Sequence, residues 1–241
     1  IYLQLESVDD LFLKKRGLPS GPIYYATNND ANFAFDREGR RKRSLLSGLQ
    51  RVHGLLSDDQ NLIDFITVIN KSDSIDFSYR IGNYLDLDKY FSWLVGAVCT
   101  MNNDGFNHNY SIYRNSETGL FEIMPWDYDA TWGRKISGGI MDHKYVPIDG
   151  RPGNLLKDRL LDSHKFRKMY KEKLEEVLET KYTVNYLEDK IMSLHQLVRP
   201  HYLRDPYINN NIEIFDYEPE MITQFIRNRN HYLKTQLKYF N

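Results

Sequence analysis

The chain has little of what stabilises small secreted proteins or carries a protein across a membrane. It is 241 residues long and contains a single cysteine, Cys99, so no internal disulfide can form. The residues around Cys99 are apolar, which predicts a buried structural thiol and not a nucleophile. The apolar stretch YFSWLVGAV, residues 90–98, is too short and too amphipathic to span a bilayer. Disulfide-rich folds are therefore excluded, and we expect no membrane partner.

The chain also lacks an excess of charge of either sign. Lys and Arg number 32 and Asp and Glu number 33, which gives a formal net charge of -1 at pH 7. No overall field would draw the protein to nucleic acid, so we expect no nucleic-acid partner and only local recognition. The exception is DREGRRKRS, residues 36–44, in which five of the first eight residues are basic. We interpret this stretch as a solvated loop; the alternative is a patch that contacts phosphate or substrate.

Motifs for several kinds of site are missing as well. None of the seven histidines stands in HExxH spacing, and one cysteine cannot build a thiolate zinc site. The chain contains neither the GxGxxG loop nor the V-A-I-K lysine of protein kinases. A metal site in this chain would therefore depend on oxygen ligands.

Apolar periodicity near the start predicts strands and helices in turn. Residues 1–7 alternate as a strand does, and Ser7 could cap a helix over residues 8–17. Residues 21–27 predict another strand. Residues 57–71 begin with a Ser-x-x-Gln capping pattern and carry apolar residues at helical spacing, which predicts a helix.

The rest of the chain is richer in helical patterns. Asp86 can cap a helix with a broad apolar face, which predicts a core helix. Residues 135–154 are rich in glycine and proline and lack periodicity, which indicates a long functional loop. Apolar residues recur at helical spacing over residues 154–182, 184–198 and 220–240. Together these elements predict an α+β fold.

Residues 102–133, NNDGFNHNYSIYRNSETGLFEIMPWDYDATWG, combine aromatic strands with acidic side chains. Residues 109–113 and 121–126 are strand-like and are separated by turn formers, which predicts a hairpin. Residues just before its first strand and just after its second would meet at the open end. The side chains brought together there are Asp104, Asn109, Asp127 and Asp129.

Two carboxylates and an amide oxygen form a set of hard oxygen ligands. If residues 126–129, WDYD, stay extended, Asp127 and Asp129 point together while Trp126 and Tyr128 anchor the other face. Such a set suits magnesium, which prefers carboxylates, water and phosphates. Carboxylates held close together raise each other's pKa unless a cation intervenes. The alternative is that these acids cap turns and pair with surface Lys or Arg.

The order of these residues resembles a protein-kinase active site. Asp104-x4-Asn109 has the spacing of the kinase catalytic loop, in which Asp accepts the substrate hydroxyl proton and Asn holds magnesium. In kinases a hairpin then leads to the metal-binding Asp of Asp-Phe-Gly, and here the hairpin leads to Asp127. With YLQLESVDDLFLKKRG upstream and NLLKDRLL downstream, nearly the whole chain resembles the CotH family of spore-coat protein kinases.

This resemblance implies an atypical protein kinase that transfers the ATP gamma-phosphate to serines of spore-coat proteins rich in Ser, Lys and Arg. The implied cofactors are ATP and Mg2+, with Mn2+ as an alternative ion. Asp104 matches the catalytic acid, and Asn109 and Asp127 match the residues that hold nucleotide-bound metal. Asp129 is a further candidate metal ligand. We expect a monomer located in the mother-cell cytoplasm and the spore coat.

The implied fold is atypical protein-kinase-like, with a truncated amino-terminal β lobe and a largely helical carboxy-terminal lobe. Residues 1–35 would be the remainder of the first lobe and its linking helix. Residues 36–241 would form the catalytic lobe, with its active-site hairpin at 104–133. The chain departs from ordinary kinases because asparagines precede Asp104 in place of His-Arg and because Asp129 replaces the glycine of Asp-Phe-Gly. Since the chain opens at Ile1, we expect the phosphate-binding lysine upstream of it.

Two other functions are compatible with the same residues. One is a nucleotide-binding or cell-surface adhesion module that keeps the fold without turnover. The other is a glycosidase in which Asp127 and a partner acid act on a sugar. Magnesium independence would favour the glycosidase, which leaves Asn109 without a role.

Overall fold

The structure is a computed structural model that describes residues 4–207 and 211–240. Within those residues the helices are α1 (Asp10–Lys15), α2 (Asp59–Lys71), α3 (Ser74–Arg80), α4 (Leu87–Thr100), α5 (Leu155–Asp162), α6 (His164–Glu179), α7 (Val184–Tyr202) and α8 (Ile212–Leu237). The strands are β1 (Ile23–Ala26), β2 (Asp36–Arg37), β3 (Arg40–Arg41), β4 (Leu49–His53), β5 (Tyr110–Arg114) and β6 (Phe121–Pro125). This mixture of helices and antiparallel strands agrees with the predicted α+β class.

Four strands form one antiparallel sheet in the order β4-β1-β5-β6, and β2 and β3 form a separate small hairpin. Side chains alternate between the two faces of a strand. One face carries Tyr24, Ile112 and Phe121 into the main core, where they are packed with α2 and α4. The sheet takes β1 from residues 1–35 and its other strands from residues 36–241. The division into two lobes stays a prediction.

The opposite face of the sheet is covered only in part. Leu13 of α1 packs there against Ile23, Tyr113 and Met124 in a second, smaller apolar cluster. Tyr25 lies on the same face, beyond the area that α1 covers. This uncovered part of the sheet adjoins the predicted site residues, because Tyr25 contacts Asn109.

Helices α2 and α4 confirm two of the predicted helices. The predicted cap at Ser57 is wrong, because α2 follows a 3-10 turn over Leu56–Asp58 and has Asp58 at its N-cap without a side-chain hydrogen bond. In α2 the buried residues include Leu62, Phe65 and Ile69, which recur at helical spacing. Asp86 caps α4 as expected, because its Oδ1 accepts a hydrogen bond from the Lys89 backbone N–H at 3.1 Å. Helix α4 is buried along most of its length and ends with Met101 in the left-handed conformation (φ 59°).

The predicted opening strand is wrong for the residues that the structure describes. Residues 4–7 are not in a strand, and residues 1–3 lie outside the described part of the chain. Alternation of apolar and polar residues does not supply the neighbouring strand that a β-strand needs for its backbone hydrogen bonds. In the structure Glu6 instead forms ion pairs with Lys15 (3.1 Å) and Arg16 (2.7 Å). The helix is also shorter than predicted, since its cap is Asp9 and not Ser7.

The basic stretch 36–44 is more ordered than the predicted loop. Its β2 and β3 strands are joined by Glu38 and Gly39, whose φ angles of 52° and 76° produce a tight turn. The long loop over residues 135–154 contains no helix or strand, as expected.

The predicted helices of the last third are confirmed, with different bounds. Helix α8 begins at Ile212 because the Asn211 side chain caps it, accepting a hydrogen bond from the Ile214 N–H at 3.2 Å. It therefore starts earlier than residue 220, the predicted start, and includes Pro219. Among the described helices, none is both long enough and apolar enough to cross a membrane.

Candidate active site

The hairpin of β5 and β6 brings the predicted residues to one end of the sheet. In its register Tyr110 pairs with Pro125 and Arg114 with Phe121. Asn109 therefore lies opposite Trp126 at the open end of the hairpin, and Asp127 follows directly. The predicted hairpin and the meeting of its two flanks are thus confirmed.

Asp104 and Asn109 are in direct contact. The Asn109 amide Nδ2 donates a hydrogen bond to Asp104 Oδ2 at 3.1 Å, and the Tyr25 hydroxyl reaches Asn109 Oδ1 at 3.5 Å. The Asp104 side chain is 33% exposed, so a ligand can approach its carboxylate. Asn109 is held from the backbone as well, because its N–H donates to the Ala26 carbonyl of β1 at 3.1 Å.

Asp127 lies in the field of the other two carboxylates. Partial burial raises the pKa of Asp127, and the negative charges of Asp129 and Asp104 raise it further. Burial also raises the pKa of the Tyr25 hydroxyl, to which the charge of Asp127 adds. The three acids therefore form one electrostatically coupled cluster, as the sequence predicted.

The predicted extended geometry of residues 126–129 is wrong. Asp127 has a left-handed backbone with φ 58°, so alternation along a strand does not apply to it. Asp127 and Asp129 nonetheless lie close enough to interact through their side chains. Asp129 also accepts a hydrogen bond from the Ala130 N–H at 2.7 Å, which fixes one of its oxygens near the backbone.

Trp126 and Tyr128 contact different neighbours. The Trp126 ring packs edge-on against Tyr25 with 6.1 Å between ring centroids. Burial raises the pKa of the Tyr128 hydroxyl to about 12, and that hydroxyl interacts with the Asn102 and Trp93 side chains. Tyr128 thereby ties the acidic segment to the loop that carries Asp104.

The loop that carries Asp104 is fixed at the end of α4. Asn102 is completely buried, and its Oδ1 accepts the Gly105 N–H at 3.0 Å. The Trp132 N–H donates to the Thr100 carbonyl at 2.8 Å, which joins the segment after Asp129 to the same helix end. Both flanks of the hairpin are therefore fixed to α4.

The long loop 135–154 packs on the other side of the Asp104 loop. Asn154 Nδ2 donates to the Phe106 carbonyl at 2.6 Å. Gly150 (φ 77°) lies against the Phe106 ring, where a Cβ atom would come within 2.6 Å of a ring carbon. The loop that the sequence indicated as functional thus supports the segment that carries Asp104.

His108 and Asn29 belong to the site although the sequence did not indicate them. His108 Nδ1 is 2.9 Å from Asn29 Oδ1, and His108 Nε2 is 3.9 Å from Asp104 Oδ2. The only sequence signal was the position of His108 four residues after Asp104. Asn29 and Tyr25 had none, because both reach the site through the pairing of β1 with β5.

A cavity of about 390 Å³ adjoins the cluster on the partly covered face of the sheet. The aromatic rings of Tyr25 and Trp126 form part of its wall, and Tyr25 also contacts Asn109. The lining residues are Ser7, Val8, Asp9, Tyr25, Val52, Ser111 and Trp126. An aromatic cavity beside a carboxylate cluster can hold a planar ring and present attached anionic groups to a bound cation.

The donor set determines which metal could bind. In residues 4–207 and 211–240, no three His, Cys, Asp or Glu side chains are arranged to hold a metal ion by themselves. Within the same ranges Asp127 and Asp129 form no ion pair with Lys or Arg, and Asp104 has only His108 as an ionic neighbour. A cation here would therefore need the Asn109 amide, water or ligand phosphates in addition, which is the coordination typical of magnesium.

Comparison with known proteins shows the family of this chain. The family model described as CotH kinase protein matches residues 1–233. The chain is 48% identical over 239 residues to Inner spore coat protein H of Bacillus subtilis (strain 168). The matched region covers 98% of this chain and 66% of that protein. The chain is 25% identical over 229 residues to the Inner spore coat protein H-like protein of the same organism, covering 94% of this chain and 69% of that protein.

The chain thus spans only about two thirds of the length of the curated relatives that it matches. The match nevertheless extends over nearly all of the chain, including the segment from Asp104 to Asp129. It confirms the family that the order of Asp104, Asn109 and Asp127 predicted. This chain belongs to the CotH kinase family.

Proposed function

We propose that this protein is an atypical protein kinase that transfers the ATP gamma-phosphate to serine residues of spore-coat proteins, with Mg2+ as cofactor. The carrying observation is the convergence of Asp104, Asn109, Asp127 and Asp129 at the open end of one hairpin. Family membership supports a kinase, and the relatives' names support a place in the spore coat. We further propose that the protein has a kinase-like fold, is a monomer, and acts on substrates rich in Ser, Lys and Arg.

The roles of the acids follow from their surroundings. Asp104 is partly exposed and fixed by the Asn109 amide, so it can orient a serine hydroxyl and accept its proton. Asp127 and Asn109 would hold magnesium, with Asp129 as a further ligand, and the ion would neutralise charge on the nucleotide phosphates. The raised pKa of Asp127 supports this role, because a bound cation would relieve the repulsion among the carboxylates.

The cavity of Tyr25, Val52 and Trp126 is our candidate site for the nucleotide base. It lies next to the two residues that would hold the metal, since Tyr25 contacts Asn109 and Trp126 precedes Asp127. A base between aromatic and aliphatic walls would leave its phosphates directed towards the acids. The phosphoryl group would then lie between the metal ligands and Asp104.

The direct test is phosphate transfer to a Ser/Lys/Arg-rich peptide with labelled ATP and Mg2+. We expect Asp104→Asn to lower kcat at least about a hundredfold, the size of a lost general base, and Asp127→Asn to abolish Mg2+-dependent transfer. Asn is a suitable replacement because it keeps the size of Asp and tolerates the left-handed backbone at position 127.

The matched control is Asp189→Asn on α7, where the carboxylate is exposed and has no hydrogen-bond or ion-pair partner among the described residues. It should transfer phosphate at the rate of the unmodified protein. Transfer by Asp127→Asn at the rate of this control would refute the assignment.

A nucleotide-binding or adhesion module without turnover is the second candidate. It is favoured by one observation, namely that this sequence contains neither the GxGxxG loop nor the V-A-I-K lysine that hold nucleotide phosphates in protein kinases. Nucleotide binding without transfer, in the full-length protein and with magnesium present, would select this candidate.

A further inference from the structure

The basic hairpin, which we define as residues 36–44, is held firmly in place. Arg37 Nη1 is 3.3 Å from Asp30 Oδ1. Lys42 Nζ donates to Asn32 Oδ1 at 2.6 Å and also to the Asp30 carbonyl. Two of its five basic side chains therefore anchor the hairpin to residues 30–32.

The other three basic side chains are free in the structure. Arg40, Arg41 and Arg43 are exposed, and within residues 4–207 and 211–240 none of their guanidinium groups forms a hydrogen bond or an ion pair. The chain contains 33 acidic residues against 32 basic ones, so its composition does not by itself leave these arginines without acidic partners. Neighbouring cations repel each other and do not help the hairpin to fold. Their concentration at one place indicates an anionic ligand.

Residues 29–32 connect the basic hairpin to the candidate active site. Asp30 and Asn32 bind the hairpin, while the adjacent Asn29 contacts His108, which lies beside Asp104. Three side-chain contacts, from Arg37 to Asp30, from Asn29 to His108 and from His108 to Asp104, together with the peptide bond between Asn29 and Asp30, therefore connect the hairpin to the residue that would accept the serine proton. None of the described hairpin residues lines the cavity that we assign to the nucleotide base. The hairpin residues are thus available to a ligand other than the nucleotide base.

We propose that the basic hairpin binds a phosphoserine of the protein substrate while a neighbouring serine lies at Asp104. This inference rests on the proposed kinase function. A phosphoserine carries roughly -1.5 to -2 charges and three acceptor oxygens, and arginine binds such groups with paired hydrogen bonds. A Lys- and Arg-rich segment without phosphate is repelled by the hairpin, whereas the same segment is attracted once it has been phosphorylated. The enzyme would therefore prefer substrates that already carry a phosphate.

The first test measures binding without ATP. A fluorescein-labelled Ser/Lys/Arg-rich peptide with one phosphoserine is compared with the unphosphorylated peptide by fluorescence anisotropy. We expect the phosphopeptide to bind at least about tenfold more tightly, in line with the gain from a charge-assisted hydrogen bond. The triple variant R40Q/R41Q/R43Q should bind both peptides equally weakly.

The matched control is K181Q/K234Q/K238Q, which removes the same amount of charge from exposed lysines of the helical part of the chain. It should keep the preference for the phosphopeptide. Equal binding of the two peptides by the unmodified protein, or an undiminished preference in the hairpin variant, would overturn the inference. So would a loss of ATP affinity in the hairpin variant with peptide binding unchanged, because the arginines would then serve the nucleotide.

A single-stranded oligonucleotide is the competing anion. Tighter binding of the oligonucleotide than of the phosphopeptide, lost in the hairpin variant, would also overturn the inference. A transfer assay separates the two proposals. Hairpin-dependent phosphopeptide binding without any phosphate transfer would support phosphate recognition and refute the kinase. Transfer with the same KM for primed and unprimed peptides would refute phosphate recognition alone.

Discussion

Asn109 and Asp127 both have left-handed backbones, and their residue types explain how the site tolerates this. Their φ angles are 60° and 58°, in a region that most residues other than glycine avoid. Asn and Asp enter it more readily than other side chains, because their short polar groups can bond locally. Two such residues at the open end of one hairpin suggest that backbone strain is accepted there in order to aim ligand oxygens.

The charge of Asp127 should lower the stability of the metal-free protein. Because its pKa is raised in the folded chain, the folded state binds the proton more readily than the unfolded state. The contribution of Asp127 to stability is therefore fully present at low pH, below its unfolded pKa, and is lost as the pH rises through the raised pKa of the folded chain. We expect Asp127→Asn to increase the free energy of unfolding at pH 7 by on the order of 0.5 kcal/mol, the size of partly exposed charge interactions. The gain should shrink towards pH 4.

Urea unfolding in the presence of a chelator measures the change in the free energy of unfolding at pH 7 and at pH 4. Asp189→Asn is the control, since its exposed carboxylate has no ion-pair partner among the described residues, and this variant should have the free energy of unfolding of the unmodified protein. A variant at position 127 that is less stable than the unmodified protein at pH 7 would contradict the prediction.

At the scale of the elements, one buried arginine joins three parts of the fold. Arg229 of α8 is fully buried, and its guanidinium donates to the carbonyls of Val98 (2.7 Å), His143 (2.8 Å) and Val146 (2.7 Å). Val98 lies in the last turn of α4, where the negative end of the helix dipole favours a cation. Arg229 thus fixes the long loop and α8 to the helix that leads into Asp104.

Replacing Arg229 should loosen these elements together. Arg229→Met keeps the volume but leaves the carbonyls of His143 and Val146 without donors and Val98 with only the Met101 N–H, so we expect a loss of about 2–5 kcal/mol in the free energy of unfolding. Hydrogen exchange should also become faster in residues 143–146. The control is Arg227→Met on the same helix, because Arg227 is exposed and contacts only Gln224 (2.8 Å). Equal stability of the two variants would show that the buried contacts contribute little.

At the scale of the whole molecule, the candidate site is assembled from distant parts of the sequence. The cavity takes its walls from the segment before α1, from β1, β4 and β5, and from the residue that follows β6. A ligand bound there should stabilise the whole chain, because unfolding separates all these segments.

We therefore expect Mg2+ and ATP to raise the melting temperature. At a ligand concentration of about 100 Kd the gain is roughly 2.7 kcal/mol, or about 5–10 °C for a chain of this size. Trp126→Ala should lose most of this shift because it removes one wall of the cavity. Tyr239→Ala, an exposed aromatic residue at 78% exposure, is the control and should keep it. An equal shift in both variants would place the nucleotide elsewhere.

Local patterns in the sequence were sufficient for most of the helices, for the hairpin of β5 and β6 and for the order of the site residues. The Asp86 cap, the apolar spacing of α2 and α4, and the turn residues between β5 and β6 all act over a few residues, so they could be read without a fold. The hairpin then followed, and with it the meeting of Asp104 and Asn109 with Asp127.

Long-range pairing determined the rest. Alternation in residues 4–7 suggested a strand, but a strand needs a neighbour for its backbone hydrogen bonds, and Glu6 pairs with α1 instead. The left-handed conformation of Asp127, the contact of His108 with Asn29, and the place of Tyr25 beside Asn109 depend on packing between segments far apart in the chain.

The sequence by itself therefore determined most of the helices, the hairpin of β5 and β6 and the family of this protein, because those depend on residue type and spacing. Only the tertiary structure decided how the site is enclosed. It placed an aromatic cavity beside the acids and linked the basic hairpin to Asp104 through residues 29–32 and His108, because the pairing of β1 with β5 brings residues 25–32 against the Asp104 loop.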